Sequence, residues 1–147
     1  MPMRREFSAG GVVVRRLNGR WVVAAIRPGG KPEGTWALPK GLIGHGERAE
    51  ATAEREVAEE TGVAANPDGK LGDVRYVYTW AGERVFKVVS FFLFRYARGR
   101  LGDIPPEHAH EVAETQWLPL DDAPKLLAYK GEREMAAKAL DRLGSAE

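Results

Sequence analysis

Apolar residues fall in short blocks along most of this chain, and glycine, proline, asparagine or aspartate bounds nearly every block. Ala9 to Arg16 (AGGVVVRR) and Trp21 to Ile26 (WVVAAI) are two such blocks. Asn18-Gly19 between them is a strong tight-turn dipeptide, so the pair predicts a β-hairpin. Arg27 to Thr35 (RPGGKPEGT) reads as a loop, followed by a short extended segment, Trp36 to Pro39. Asn66 to Gly69 reads as a turn and Val74 to Trp80 (VRYVYTW) as a strand. Ala81-Gly82 is a tight connection into Arg84 to Ala97 (RVFKVVSFFLFRYA), a long and largely buried strand. A loop through Pro105 and Pro106 precedes a last strand, Thr115 to Leu118. Asp121 or Asp122 is placed to N-cap a helical turn with Pro124 in it. Lys130 to Leu143 sets Met135, Ala136, Ala139, Leu140 and Leu143 along one stripe of a terminal helix.

One segment has the other periodicity. Arg48 to Thr61 predicts a helix, entered through a loop with Gly41, Gly44 and Gly46 and closed by Gly62 at a C-cap position. Glu56, Glu59 and Glu60 lie at spacings i, i+3 and i+4 and so share one helix face. Like charges so placed cost a helix roughly 0.2 to 0.5 kcal/mol per pair, and nothing on that face is expected to neutralise them. A cation set against the ridge would. All-oxygen ligands favour Mg²⁺, with Mn²⁺ as the other candidate. Zinc is disfavoured, because the chain has no cysteine and His45, His108 and His110 do not form a helical ligand pair. Mg²⁺ commonly completes its shell with substrate phosphate oxygens, so phosphate chemistry is the expectation.

Composition narrows the classes. The 147 residues, 44% hydrophobic and 29% charged, predict one globular domain over 1–147. With 22 basic against 21 acidic residues the net charge is +1, so no global field draws the chain to nucleic acid or an anionic membrane. The basic start MPMRREFSAGG lacks an apolar signal core, and no stretch reaches membrane-spanning length. A cytoplasmic protein, monomer or homodimer, is expected.

The segment GLIGHGERAEATAEREVAEETGV resembles the Nudix box, G-x5-E-x7-R-E-U-x-E-E-x-G-U with U a bulky aliphatic residue. Gly41, Glu47, Arg55, Glu56, Val57, Glu59, Glu60, Gly62 and Val63 occupy every defined position. The resemblance implies an α/β fold, a Nudix-type α/β/α sandwich with a mixed central sheet, which the strand and helix pattern also favours. It implies metal-dependent hydrolysis of a pyrophosphate bond in a nucleoside diphosphate linked to another group. Glu59 and Glu60 then match the core metal ligands, the Gly41 carbonyl a backbone ligand, and Glu56 a position that either ligates or takes a proton. Glu47 and Arg55 match a supporting pair, and Glu111 a further carboxylate from a downstream loop, with Glu107 and Glu114 as neighbours in competition. His108 and His110 read as loop surface.

Substrate contacts are less defined. Leu38-Pro39-Lys40-Gly41 resembles a motif of diadenosine polyphosphate and diphosphoinositol polyphosphate hydrolases, with Lys40 placed to hold a phosphate and Arg27 a second candidate. Leu126 to Tyr129 followed by Arg133 resembles the terminal segment of the diadenosine and oxidised-nucleotide hydrolases, and Tyr129, Tyr76 or Tyr78 could stack on a base. Diadenosine hydrolases often carry Glu-Pro where this chain has Gly44-His45, both variable positions of the box. A diadenosine tetra- to hexaphosphate is the expected small-molecule partner, with 8-oxo-dGTP or another nucleoside triphosphate and diphosphoinositol polyphosphates as alternatives. A different class, a non-catalytic module sensing a nucleotide or RNA through Tyr76, Tyr78, Phe92 and Phe94, is disfavoured by the intact carboxylate set and the lack of basic charge.

Overall fold

The computed structural model describes residues 3–145. Six strands, β1 (Arg4–Leu17), β2 (Arg20–Pro28), β3 (Lys40–Leu42), β4 (Ala64–Trp80), β5 (Glu83–Arg98) and β6 (Val112–Pro119), form one sheet. It carries helices α1 (Ala49–Thr61), α2 (Ala123–Leu126) and α3 (Lys130–Ser145). The order is β4-β5-β1-β2-β6, with the short β3 pairing β1 off that path. β1 runs parallel to β5 and every other pairing is antiparallel, so the sheet is mixed.

Both faces of the central strands are covered, which explains the near-continuous apolar runs in β1 and β2. Neighbouring residues of a strand point to opposite faces. Val13, Ala24, Phe92 and Phe94 pack with Ala53 and Val57 of α1. Val12, Val14, Val23 and Leu93 pack on the other side with Met135, Ala136, Ala139 and Leu143 of α3, while Leu140 is only partly buried at that core's edge. The layers are therefore helix, sheet, helix. No helix among the described residues is long and apolar enough to cross a membrane.

The predicted turns Asn18-Gly19 and Ala81-Gly82 both adopt left-handed backbone, φ 52° and 79° in the first and 52° and 81° in the second, as a two-residue hairpin turn of right-twisted strands requires. Several boundaries differ from expectation. β1 begins at Arg4, five residues before the apolar run, because β5 supplies a parallel partner from Val85 onward. Asn66 to Gly69 is not a turn between elements but lies inside β4. There the pairing with β5 shifts register between Pro67 and Lys70 and again between Lys70 and Gly72. Pro67 cannot donate to the ladder and Gly69 takes φ +95°, so the turn-forming residues make irregularities that bend the strand without ending it. Asp122 stands at the N-cap of α2 without a side-chain capping bond, and Asp121 pairs with Arg20 instead. The loop after Pro105 tightens into a 3-10 turn, Pro106–Glu111.

Candidate active site

The site forms where α1 meets β3. α1 is closed by Gly62, whose N–H donates to the Ala58 carbonyl and whose φ of +81° turns the chain out of the helix. β3 pairs with β1, Lys40 opposite Gly10 and Gly41 opposite Ala9, and this lays residues 40 and 41 along the carboxylate ridge. The Lys40 N–H donates to Glu60 Oε1 at 3.0 Å. Gly41 lies so close to Glu56 that a Cβ there would sit 2.2 Å from its carboxylate, so only glycine lets the strand approach.

The loop into the helix is held by Glu47. Its Oε1 accepts from the Gly44 N–H at 2.9 Å and the Thr52 hydroxyl at 2.8 Å, and Arg55 donates to both its oxygens at 2.8 and 2.9 Å. These bonds, Arg55 first, hold the Glu47 carboxyl at about 2. Arg55 also overturns one expectation, because the ridge has a neutralising neighbour: its Nη1 donates to Glu56 Oε2 at 3.0 Å and to both oxygens of Glu59 at 3.0 and 3.1 Å. A guanidinium reaches both carboxylates from a position that the helix spacing alone assigns to the flank.

That neutralisation is incomplete. Burial pushes the Glu56 carboxyl up, with the Glu59 charge adding to it, and burial takes Glu60 to about 8 against the pull of the Lys40 N–H bond. Glu111, brought in by the 3-10 turn, raises both further. His108 is not loose loop surface. Its Nδ1 lies 3.3 Å from Glu111 Oε1 and its Nε2 3.7 Å from Glu59 Oε1, and the Glu111 bond holds its pKa up. A Pro-bounded loop without periodicity gave no sign of this contact. Glu107 and His110 share the turn without an ion pair to the ridge among the described residues, and Glu114 pairs with Arg27 at 3.1 Å.

Among the described residues, acidic and histidine side chains do not close into a ready-made cation cage. The donor set still fits a hard divalent ion. Glu56 and Glu60 are carboxylates whose charged forms are disfavoured where they stand, Glu59 and Glu111 adjoin them, and Mg²⁺ characteristically takes one or two carboxylates and leaves the rest of its shell to water and phosphate.

Beside the ridge opens a cavity of about 630 Å³, lined by Lys40, Val74, Tyr76, Phe91 and Tyr129, with Glu132 at its wall. Lys40 Nζ stands 5.6 Å from the centre of the Tyr129 ring, within cation–π range. It donates to Glu132 Oε2 at 2.7 Å, and Glu132 Oε1 accepts from the Leu38 N–H at 2.7 Å. Glu132 is a residue that the sequence reading missed. Its spacing of three and four before Met135 and Ala136 puts it on the apolar stripe of α3, the signal that could have marked it. Other candidates have partners within the protein. The Tyr78 hydroxyl donates to Glu6 at 2.6 Å. Arg133 donates to the carbonyls of Leu127 and Ala128, and Arg27 to the Lys31 carbonyl as well as Glu114. Phe92 and Phe94 are buried under α1 and cannot stack on a base.

Residues 5–139 match the NUDIX domain family. Over 147 aligned residues, 95% of the chain, it is 42% identical to the putative mutator protein MutT4 of Mycobacterium tuberculosis. Over 107 residues, 73% of the chain, it is 34% identical to an 8-oxo-(d)GTP phosphatase of Mycolicibacterium smegmatis. The chain spans 58% and 30% of the lengths of these two relatives. In three dimensions it is similar to an Ap4A hydrolase of C. elegans in a binary complex, with a TM-score of 0.74 at 23% identity, covering 95% of this chain and 98% of that one. At that identity the likeness concerns the fold.

Proposed function

Because the chain belongs to the Nudix family, we propose that it hydrolyses a pyrophosphate bond in a nucleoside polyphosphate, with a divalent cation, Mg²⁺ or Mn²⁺, bound at the α1 ridge. The observation that carries this is the set of mutually repelling carboxylates on α1, Glu56 buried and Glu59 and Glu60 partly so, beside the Lys40-bearing cavity. Nudix hydrolases in general need such an ion. The chemistry supplied by a bound ion would be the offset of developing negative charge and the acidification of the attacking water. Glu59, Glu60 and the Gly41 carbonyl would hold it, with Glu111 completing the acidic side. Glu56, desolvated and pressed against Glu59, is the carboxylate assigned to take the proton from water. Lys40 would hold a phosphate oxygen as a point charge, with the half-exposed Tyr129 and Tyr76 as walls for a base.

Two substrate readings draw on different observations. A diadenosine tetra- to hexaphosphate is favoured by the LPKG segment and by a cavity large enough for a nucleoside beside the ridge. An oxidised purine nucleoside triphosphate such as 8-oxo-dGTP is favoured by the identity to the mycobacterial 8-oxo-(d)GTP phosphatase. A Mg²⁺-dependent screen against dinucleoside polyphosphates, 8-oxo-dGTP, ordinary nucleoside triphosphates and diphosphoinositol compounds tests both. A clear preference in kcat/KM for one class selects it, and no turnover on any of them would remove the hydrolase reading and favour a nucleotide-sensing module.

A further inference from the structure

We propose that Glu132 is a positioning residue for this cleavage, holding the Leu38 to Gly41 segment against the carboxylate ridge and the Lys40 ammonium in the cavity beside it; the inference rests on the hydrolase reading above. Glu132 is 4% exposed and lies in the first turn of α3, on the opposite side of the sheet from α1. Each of its oxygens has one partner, the Leu38 N–H and Lys40 Nζ, both at 2.7 Å. The same short segment meets α1: the Lys40 N–H donates to Glu60 at 3.0 Å, and the Gly41 backbone abuts the Glu56 carboxylate. One side chain from α3 thus fixes the piece of chain against which two ridge carboxylates are seated.

Stability alone does not account for it. A buried ion pair is commonly no better for stability than a well-packed apolar pair of the same size, and an acidic residue on an apolar helix stripe is rare unless paired. Positioning gives it a use. Lysine is a point charge on a flexible four-carbon stem, and here the stem is tethered at its tip by Glu132 and by the Tyr129 face. One bond to Glu132 leaves two N–H donors of the ammonium for a phosphate oxygen. A charge fixed before the substrate arrives stabilises the transition state without reorganising, so its loss falls on kcat more than on KM.

Glu132→Gln isolates the effect. The amide oxygen still accepts from Leu38, but an amide nitrogen faces the ammonium and cannot accept from it. Initial rates of the full chain under saturating Mg²⁺, with diadenosine tetraphosphate and with 8-oxo-dGTP, should show kcat reduced at least tenfold and KM changed less than threefold. A circular-dichroism melt should show the variant folded at the assay temperature. In a Lys40→Met background the same change should lower kcat no further, since the group it positions is gone. A folded Glu132→Gln variant with kcat within threefold of wild type, or equal losses in both backgrounds, would overturn the inference. Should that variant not fold, Glu132→Asp, which keeps the charge but withdraws it by a methylene, decides in the same way. Absence of turnover by the wild-type protein would sink the hydrolase reading and this inference with it, whereas wild-type turnover matched by the variant sinks this inference alone.

Discussion

Glu60 carries the largest unrelieved electrostatic cost in the site. Burial raises its carboxyl to about 8, the Lys40 N–H opposes, and the Glu56 charge adds to the rise. In the metal-free protein it therefore keeps its proton up to about 8, while the unfolded chain loses it near 4.5. Between those values the folded state binds more protons, so the contribution is fully present below the lower value and is lost as pH rises through the upper one. Thermal melts in EDTA should fall in midpoint from pH 5 to pH 8, with Glu60 itself contributing a slope of at most about 1.4 kcal/mol per pH unit. The Glu60→Gln variant should flatten that slope and lose turnover by orders of magnitude. A wild-type melt that does not move across this range would contradict the burial assigned to Glu60. Gly41 offers a second test at the same scale. In Gly41→Ala the new methyl would displace the buried Glu56 carboxylate, so stability should drop by about 1 to 3 kcal/mol, while kcat should fall at least a hundredfold. Urea unfolding and steady-state kinetics on one preparation separate the two effects.

Among the elements, α1, packed on the sheet through Ala53 and Val57, is tied to its entry loop by one side chain. Arg55 joins Glu47 in the loop to Glu56 and Glu59 on the helix, and a lysine there would keep the charge but lose the fork that makes two parallel bonds to Glu47. Arg55→Lys should lower the unfolding free energy by about 1 kcal/mol, a figure already reduced for the exposed part of the guanidinium. The urea midpoint should shift with the slope unchanged. This helix was legible in advance because its three carboxylates stand at spacings that any α-helix turns into one face and a glycine follows at the C-cap position. β3 was not, since three residues carry no periodicity and its pairing comes from Ser8 to Gly10, far back in the chain. Asn66 to Gly69 misled for the opposite reason: strong local turn chemistry was overridden by a long partner strand that continues past it. Glu132 stayed hidden because its partners, Leu38 and Lys40, lie more than ninety positions away.

For the molecule as a whole, the helices on the two faces meet chemically at Leu38 to Gly41, so occupancy of the site should be felt by the entire fold. On the proposed function, a nucleotide with Mg²⁺ that binds only the folded state should raise the melting temperature, by the equivalent of about 2.7 kcal/mol at a hundred times its dissociation constant. In EDTA the same nucleotide should produce a much smaller shift in differential scanning fluorimetry. An equal shift with and without metal would mean that the nucleotide binds in the aromatic cavity away from the ridge. The sandwich architecture itself could be read beforehand, because hairpins of apolar strands alternate with helices of apolar stripe. The strand order could not, since the pattern says which residues are buried and not which strands adjoin.

The parallel pairing of β1 with β5 has a consequence for biosynthesis. Arg4 faces Val85 and Val14 faces Arg95, about 80 positions later, so a ribosome emits the first hairpin and the acidic helix well before β5, the strand beside β1, has been translated. At ordinary elongation rates of about 5 to 20 residues per second, that apolar flank waits for seconds without its partner. Chains truncated before residue 95 should consequently be clients of chaperones, and synonymous codons that slow decoding across β4 would lengthen the exposure without altering a single amino acid.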